Sequence, residues 1–82
     1  MNPRVISVVA NPDYTLTISF NNGETRIYDC SPHLNFGVFS ELKNLGYFKM
    51  ASVSNGTVAW PNEQDICPDT LYLDSILYAA AV

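Results

Sequence analysis

An alternating segment that ends in Asn-Gly constrains the fold of this chain more than any other feature. Between Tyr14 and Phe20, apolar side chains at even positions alternate with the hydroxyl side chains of Thr15, Thr17 and Ser19. A period of two is typical of a strand with one buried face. Asn22-Gly23 follows, and this dipeptide favours a two-residue type I′ turn. The sequence therefore predicts an antiparallel hairpin whose second strand runs over residues 24–30.

A two-residue turn also sets the register of this hairpin. It places Ile18 opposite Ile27 and Leu16 opposite Asp29, so that Asp29 lies on the apolar face. A carboxylate there needs donors, and we expect backbone N–H groups of the following Ser31-Pro32-His33 turn to supply them; a functional carboxylate is the alternative. The same register gives a polar outer face, which is either solvated sheet or a flat docking surface. Its residues are Thr15, Thr17, Ser19, Arg26 and Tyr28.

The remaining patterns predict further strands and two helices. The β-branched segment 4–10 reads as a strand, and Asn55-Gly56 predicts a second hairpin that pairs Val53 with Val58. Ser31-Pro32 resembles a helix start, a short middle helix is expected over 38–43, and 62–68 reads as an ordered loop. Asp69 is expected to cap a C-terminal helix. The predicted fold is a single α+β domain over residues 1–82, with a mostly antiparallel sheet of about five strands.

The predicted C-terminal helix is apolar around most of its circumference. Only Asp74 and Ser75 interrupt its apolar side chains and alanines, and a helix of this kind requires cover on more than one side. The sheet can cover one face, so we expect the other face to be sticky surface or an interface. The candidate interface residues are Leu73, Ile76, Leu77 and Tyr78.

The charge balance restricts the classes of partner. Four basic residues face eight acidic ones in 82 residues, which gives a net charge of -4. A chain with so few cations can hardly assemble the basic patch that nucleic acids require, and its acidic surface favours a basic partner. No apolar segment is long enough to cross a membrane, and no signal peptide is recognised. We expect a cytoplasmic protein with both cysteines reduced.

Residues that could carry chemistry are few. Catalysis by Cys30 or Cys67 with His33 would need a base within reach of the thiol, and no spacing indicates that arrangement. Glu63, Asp65 and Asp69 match no calcium loop, and one His with two Cys does not form a zinc motif. We therefore expect no catalytic residues, no metal and no cofactor.

The segment from Trp60 to Tyr72 is the best candidate for a binding loop. It presents aromatic side chains beside amides and carboxylates, a mixture that recognition sites use. A purely structural role for the same side chains is the alternative. The candidate residues are Trp60, Asn62, Asp65, Asp69 and Tyr72.

Four blocks of the sequence carry a resemblance to a known family. The first three are Tyr14-Thr15-Leu16 with Phe20-Asn21-Asn22-Gly23-Glu24, then Asp29-Cys30-Ser31-Pro32, then Gly37-Val38-Phe39 with Leu42-Lys43. The most specific block is Gly56-Thr57-Val58-Ala59-Trp60-Pro61-Asn62, then Asp65, then Cys67-Pro68-Asp69-Thr70-Leu71-Tyr72. Together they resemble a family of small bacterial proteins known as domain of unknown function 2442. The chain departs from the family at Glu63-Gln64, where relatives tend to have a glycine. The resemblance implies a compact α+β domain without established catalytic activity. It also implies an antitoxin-like protein paired with the product of a small neighbouring gene.

Together these observations favour a non-enzymatic interaction module. We expect its partner to be another small protein, basic in character, or a second copy of the chain. A small-ligand-binding or regulatory domain that uses the loop from Trp60 to Tyr72 is the alternative.

Overall fold

A computed structural model describes residues 2–79, with the backbone alone at Ala79, and shows an α+β fold built on two antiparallel sheets. The first sheet has the order β1-β2-β3-β7 and the second has the order β4-β5-β6. The strands are β1 Val5–Ala10, β2 Thr15–Phe20, β3 Thr25–Asp29, β4 Ser52–Ser54, β5 Thr57–Ala59, β6 Asp65–Ile66 and β7 Ile76–Ala79. The α-helices are α1 Leu45–Phe48 and α2 Pro68–Leu73, and two 3-10 helices span Ser31–His33 and Gly37–Lys43.

The first hairpin forms where it was predicted, but its register differs by one residue. Ile18 lies opposite Arg26 and Thr17 lies opposite Ile27. The reason is a three-residue loop: the N–H of Gly23 donates to the carbonyl of Phe20, and Gly23 has a φ of 89°. A turn that ends in a left-handed glycine uses one residue more than a type I′ turn. The faces of β3 are therefore exchanged, so that Arg26 faces inward and Ile27 outward.

The second hairpin has the predicted register. Val53 pairs with Val58, and Asn55 and Gly56 both have positive φ, as a type I′ turn requires. Gly56 also lies close to β1, because an added Cβ would stand 2.8 Å from the Cδ of Arg4. The strands are shorter than predicted, since β4 begins at Ser52 and β5 ends at Ala59.

One hydrophobic core fills the space between the sheets and the helices. Its fully buried side chains come from β2, β5, the helical segments and the residue after β3: Leu16, Ile18, Phe20, Cys30, Leu42, Phe48, Val58 and Leu71. Trp60 follows β5 and is 3% exposed, and its indole N–H donates to the carbonyl of Phe48 at 2.9 Å. A core of this composition explains how a short chain buries a continuous apolar cluster.

The predicted helix boundaries need correction. The middle helix is present, but Asn44 does not end the helical region: its side chain accepts from the N–H of Tyr47 and caps α1. Ser31 lies inside the first 3-10 helix and does not cap it. Asp69 likewise lies in the first turn of α2, one residue after Pro68, so the predicted cap at Asp69 is wrong.

The largest difference lies near the C-terminus, where residues 76–79 of the predicted helix form a strand. The helix α2 ends at Leu73, and β7 begins at Ile76 and pairs with β3. Ser75 stabilises the connection between α2 and β7, because its hydroxyl donates to the carbonyl of Tyr72 and accepts from Nε of Arg26 at 2.7 Å. For residues 76–79, pairing with the edge of β3 therefore determines the structure more strongly than their helical periodicity does. The predicted helical residues 80–82 lie outside the described residues.

Two further short elements were missed. The segment 62–68 contains β6, which pairs Ile66 with Val58. With β6 and β7 the described residues form seven strands in two sheets, whereas about five strands in one sheet were predicted. The antiparallel α+β class is confirmed.

Candidate functional site

The five candidate residues of the loop from Trp60 to Tyr72 do not converge on a common site. Trp60 belongs to the core, and Tyr72 packs edge-on against Phe20 with ring centroids 5.2 Å apart. Asp69 is exposed and accepts from the side-chain amide of Asn2 at 3.0 Å. Asp65 and Asn62 are also exposed, on β6 and on the turn before it. The structure thus distributes these side chains between the core and separate surfaces.

Asn62 instead joins a hydrogen-bond network that the sequence did not reveal. Its side-chain amide donates to both carboxylate oxygens of Glu41, at 2.9 and 2.8 Å. Gln64, which is buried, donates to Glu41 at 2.9 Å and accepts from the hydroxyl of Tyr47 at 2.6 Å. The bonds from Asn62 and Gln64 hold the pKa of Glu41 below its ordinary value.

The hydrogen bonds of Glu41 link the 3-10 helix Gly37–Lys43 to the turn between β5 and β6. The side-chain partners of Glu41 are the amides of Asn62 and Gln64, and these bonds give the carboxylate a structural role. The members of this network lie far apart along the chain, with Glu41 and Asn62 separated by 21 positions. No local motif could have indicated it.

The two thiols have different surroundings. Cys30 is fully buried, and burial raises the pKa of its thiol to about 12, with a further contribution from the charge of Asp29. Such a thiol stays protonated and unreactive at neutral pH. His33 is engaged elsewhere, since its Nε2 lies 2.6 Å from the hydroxyl of Tyr28. Burial also raises the pKa of Tyr28, to about 12. Cys67 is exposed.

Asp29 lies on the outer face because of the register change. The predicted position on the apolar face is therefore wrong, whereas the predicted bond to the following turn is confirmed: Asp29 accepts from the N–H of Ser31 at 2.9 Å. It also accepts from the hydroxyl of Ser31 at 2.6 Å. These contacts give Asp29 a structural role, and its carboxylate still contributes negative charge to the surface.

The side of the first sheet that faces away from the core, here called the outer face, is uncovered in the described part of the chain. Four residues in direct cross-strand register form a row across it, namely Val9, Thr17, Ile27 and Ile76. Val9 is 59% exposed and Ile76 is 74% exposed. At about 4.8 Å between neighbouring strands, this row extends for roughly 14 Å. The sequence predicted a polar outer face with Arg26 and Tyr28, but the structure places both of those residues inside.

A shallow groove of about 630 Å³ lies on this outer face. The turn 11–13 forms one wall and Tyr78 forms another, and Thr15, Thr17 and Ile27 lie at its floor. The amide of Asn11 donates to the hydroxyl oxygens of both threonines, at 3.1 and 2.9 Å, which makes the turn and floor rigid. Asp13 in the wall accepts from the hydroxyl of Thr15 at 2.6 Å, and this bond lowers the pKa of Asp13.

The charges around the outer face are acidic. Asp13 and Asp29 lie at one end of it, whereas Arg26 faces inward and pairs with Glu24 at 2.7 Å. Arg4 donates to the carbonyl of Asn55 beside the second sheet. Lys43 ends the middle 3-10 helix and Lys49 follows α1, so neither lysine belongs to the first sheet. The outer face therefore combines an apolar row with negative charge.

The four candidate interface residues are all exposed, but only Leu73 is helical. Ile76, Leu77 and Tyr78 lie on β7, the outermost strand of the first sheet, and Tyr78 is 68% exposed. All three form part of the sheet edge, and Ile76 and Tyr78 also belong to the outer face. Ile76, Leu77 and Tyr78, which were predicted to form one face of a helix, thus belong to a strand.

Among residues 2–79, no group of three or more His, Cys, Asp or Glu side chains comes together in a way that could hold a metal ion. None of the helices within the same range has the length and apolar character needed to traverse a bilayer.

Comparisons with known proteins identify the family. No curated protein and no solved structure matches the chain. A family model described as "Protein of unknown function (DUF2442)" matches residues 5–76. Because this match covers most of the chain, the protein belongs to the DUF2442 family.

Proposed function

We propose that this chain is a non-enzymatic protein–protein interaction module whose outer face binds another small protein. The observation that carries the proposal is the row Val9–Thr17–Ile27–Ile76, in which β1, β3 and β7 contribute apolar side chains and those of Val9 and Ile76 are exposed. An exposed apolar patch with a polar margin is typical of a docking surface.

The charge distribution supports a basic partner. Asp13 and Asp29 border the outer face, and the cations of the chain lie elsewhere or are paired. A partner with lysine or arginine at the rim of its own apolar patch would gain complementary charge and faster association.

The groove supplies an anchoring position for such a partner. A guanidinium group that enters it would lie beside the Tyr78 ring and within reach of the Asp13 carboxylate. The rigid threonine floor means that little ordering accompanies binding. The partner that we propose is the product of a small neighbouring gene, in an antitoxin-like pair.

Co-expression with the neighbouring gene product, followed by size exclusion at micromolar concentration, tests this function. We expect one co-eluting complex, and separate elution of the two proteins would contradict the proposal. Val9→Lys places a cation on the outer face and should weaken binding by at least about tenfold, equivalent to about 1.4 kcal/mol. Val53→Lys on β4 is the matched control and should leave the affinity unchanged.

A small-ligand-binding domain that uses the loop from Trp60 to Tyr72 has less support. Burial of Trp60 removes its largest recognition group from the surface. A thermal-shift screen with a metabolite panel tests this alternative, because a ligand that binds only the folded state raises the melting temperature. A shift that Asn62→Ala abolishes would favour the alternative over docking on the outer face.

A further inference from the structure

The strand β7 leaves one edge of the first sheet open in the described part of the chain. It pairs with β3 on one side and is the last strand in the sheet order. An unpaired strand edge presents a row of N–H and C=O groups that can pair with another strand. Proteins commonly protect such edges with lysine, proline or inward-pointing charges. The segment 76–79 contains none of these, since it reads Ile-Leu-Tyr-Ala.

The opposite edge of the same sheet, formed by β1, is contacted by the second sheet. The N–H of Val5 at the start of β1 donates to the carbonyl of Gly56 at 3.0 Å. The side chain of Arg4 lies against the same β4–β5 turn and donates to the carbonyl of Asn55. The second sheet thus covers part of the β1 edge, and no equivalent cover is present at β7 among residues 2–79.

We propose that two copies of the chain associate by antiparallel pairing of their β7 strands, which joins the two four-stranded sheets into one continuous sheet. An isologous contact of this kind needs one self-complementary surface. The edge from Ile76 to Ala79 is uncharged, so two copies approach without like charges at the contact. A basic partner, by contrast, is attracted by Asp13 and Asp29, neither of which belongs to β7.

The acidic groups nearest β7 also favour the antiparallel arrangement. Asp74 precedes the strand, and the antiparallel pairing of Ile27 with Ile76 places it at the same end of the sheet as Asp29. Antiparallel pairing sends these ends in opposite directions, whereas parallel pairing would bring them together. The charges therefore select one of the two modes.

The expected dimer is weak and reversible. A four-residue edge with the exposed side chains of Ile76, Leu77 and Tyr78 offers less than the roughly 1,200 Å² of a standard interface. We expect a dissociation constant of about 10–500 µM. The outer face stays open in this dimer, so each copy can still bind its other partner.

Sedimentation equilibrium of the full chain from about 5 µM to 1 mM tests the proposal. The mass should rise from that of the 9.1 kDa monomer toward twice that value. Tyr78→Lys and Tyr78→Asp should each weaken self-association by at least about tenfold through like-charge repulsion across the new pair. An equimolar mixture of the two variants should recover association, because the opposed charges then attract each other.

Phe36 provides the matched control. Its aromatic side chain is 69% exposed, close to the value for Tyr78, but it lies in the loop before the middle 3-10 helix. Phe36→Lys and Phe36→Asp should dimerise as the unchanged protein does. A wild-type monomer at 1 mM would overturn the proposal, as would a dimer that both Tyr78 variants leave unaltered.

Hydrogen exchange on the unmodified protein gives an independent measurement. Amide protection within 76–79 should increase with protein concentration, while protection in β5 should stay constant. Protection that does not change with concentration across the dimerisation range would also overturn β7 pairing.

Discussion

Replacing Glu63 by glycine should stabilise the protein, because Glu63 has a backbone conformation that suits glycine. Its φ is 72°, in the left-handed region, where an L-residue with a side chain is strained by about 1–2 kcal/mol. The loop enforces this conformation: the N–H of Glu63 donates to the carbonyl of Trp60, and the N–H of Trp60 donates to the carbonyl of Gln64. The side chain itself is exposed.

The net gain is smaller than the strain, since glycine also makes the unfolded chain more flexible by about 0.4–1 kcal/mol. We therefore expect Glu63→Gly to raise the free energy of unfolding by about 0.5–1 kcal/mol. For a domain of this size, that corresponds to an increase of about 2–8 °C in the melting temperature. Urea unfolding and calorimetry measure both quantities.

Glu63→Ala separates backbone strain from the loss of the carboxylate. Alanine removes the same charge but keeps the strained φ, so its stability should stay within about 0.5 kcal/mol of wild type. The reasoning is refuted if alanine stabilises as much as glycine does, or if glycine destabilises the protein.

Three further outcomes are expected. A thiol reagent at neutral pH should label Cys67 rapidly and Cys30 only after unfolding, and rapid labelling of two thiols in the folded state would contradict the burial of Cys30. Trp60→Phe should lower the free energy of unfolding in urea by about 2–4 kcal/mol through a lost buried hydrogen bond and a cavity, and a loss under about 1 kcal/mol would count against this. Arg26 lowers the pKa of Glu24 below 4.5, so this pairing stabilises the fold above pH 4.5, and the stabilisation is lost as the pH falls through the lowered pKa. The stability difference between wild type and Glu24→Gln should therefore shrink in acid unfolding experiments. A constant difference would argue against the pairing.

The hairpins show how far a sequence of this kind specifies its fold. Asn55-Gly56 determined the register of the second hairpin, because both residues adopt the positive φ values of a two-residue turn. Asn22-Gly23 predicted the first hairpin but not its register. There the asparagine and glycine end a three-residue loop, and the dipeptide alone does not distinguish the two loop lengths.

Long-range pairing accounts for most of what the sequence could not predict. The residues 76–79 have no alternation, and they form a strand because β3 provides an edge and Arg26 holds Ser75 beside it. The network of Glu41 with Asn62 and Gln64 also joins separate segments. The exposure of Ile76, Leu77 and Tyr78 was predicted from their apolar surplus, although as a helix face.

The place of β7 in the sheet has a consequence for the order in which the chain assembles during synthesis. The first three strands are contiguous in sequence and can pair locally, but Ser75 meets Arg26 across 49 residues. The whole second sheet is synthesised between them, so β3 remains the outermost strand until residues 76–79 have left the ribosome. Nascent chains of this protein therefore expose the edge of β3, whereas chains that contain β7 expose the edge of β7. Truncation after Leu73 should leave the β3 edge exposed.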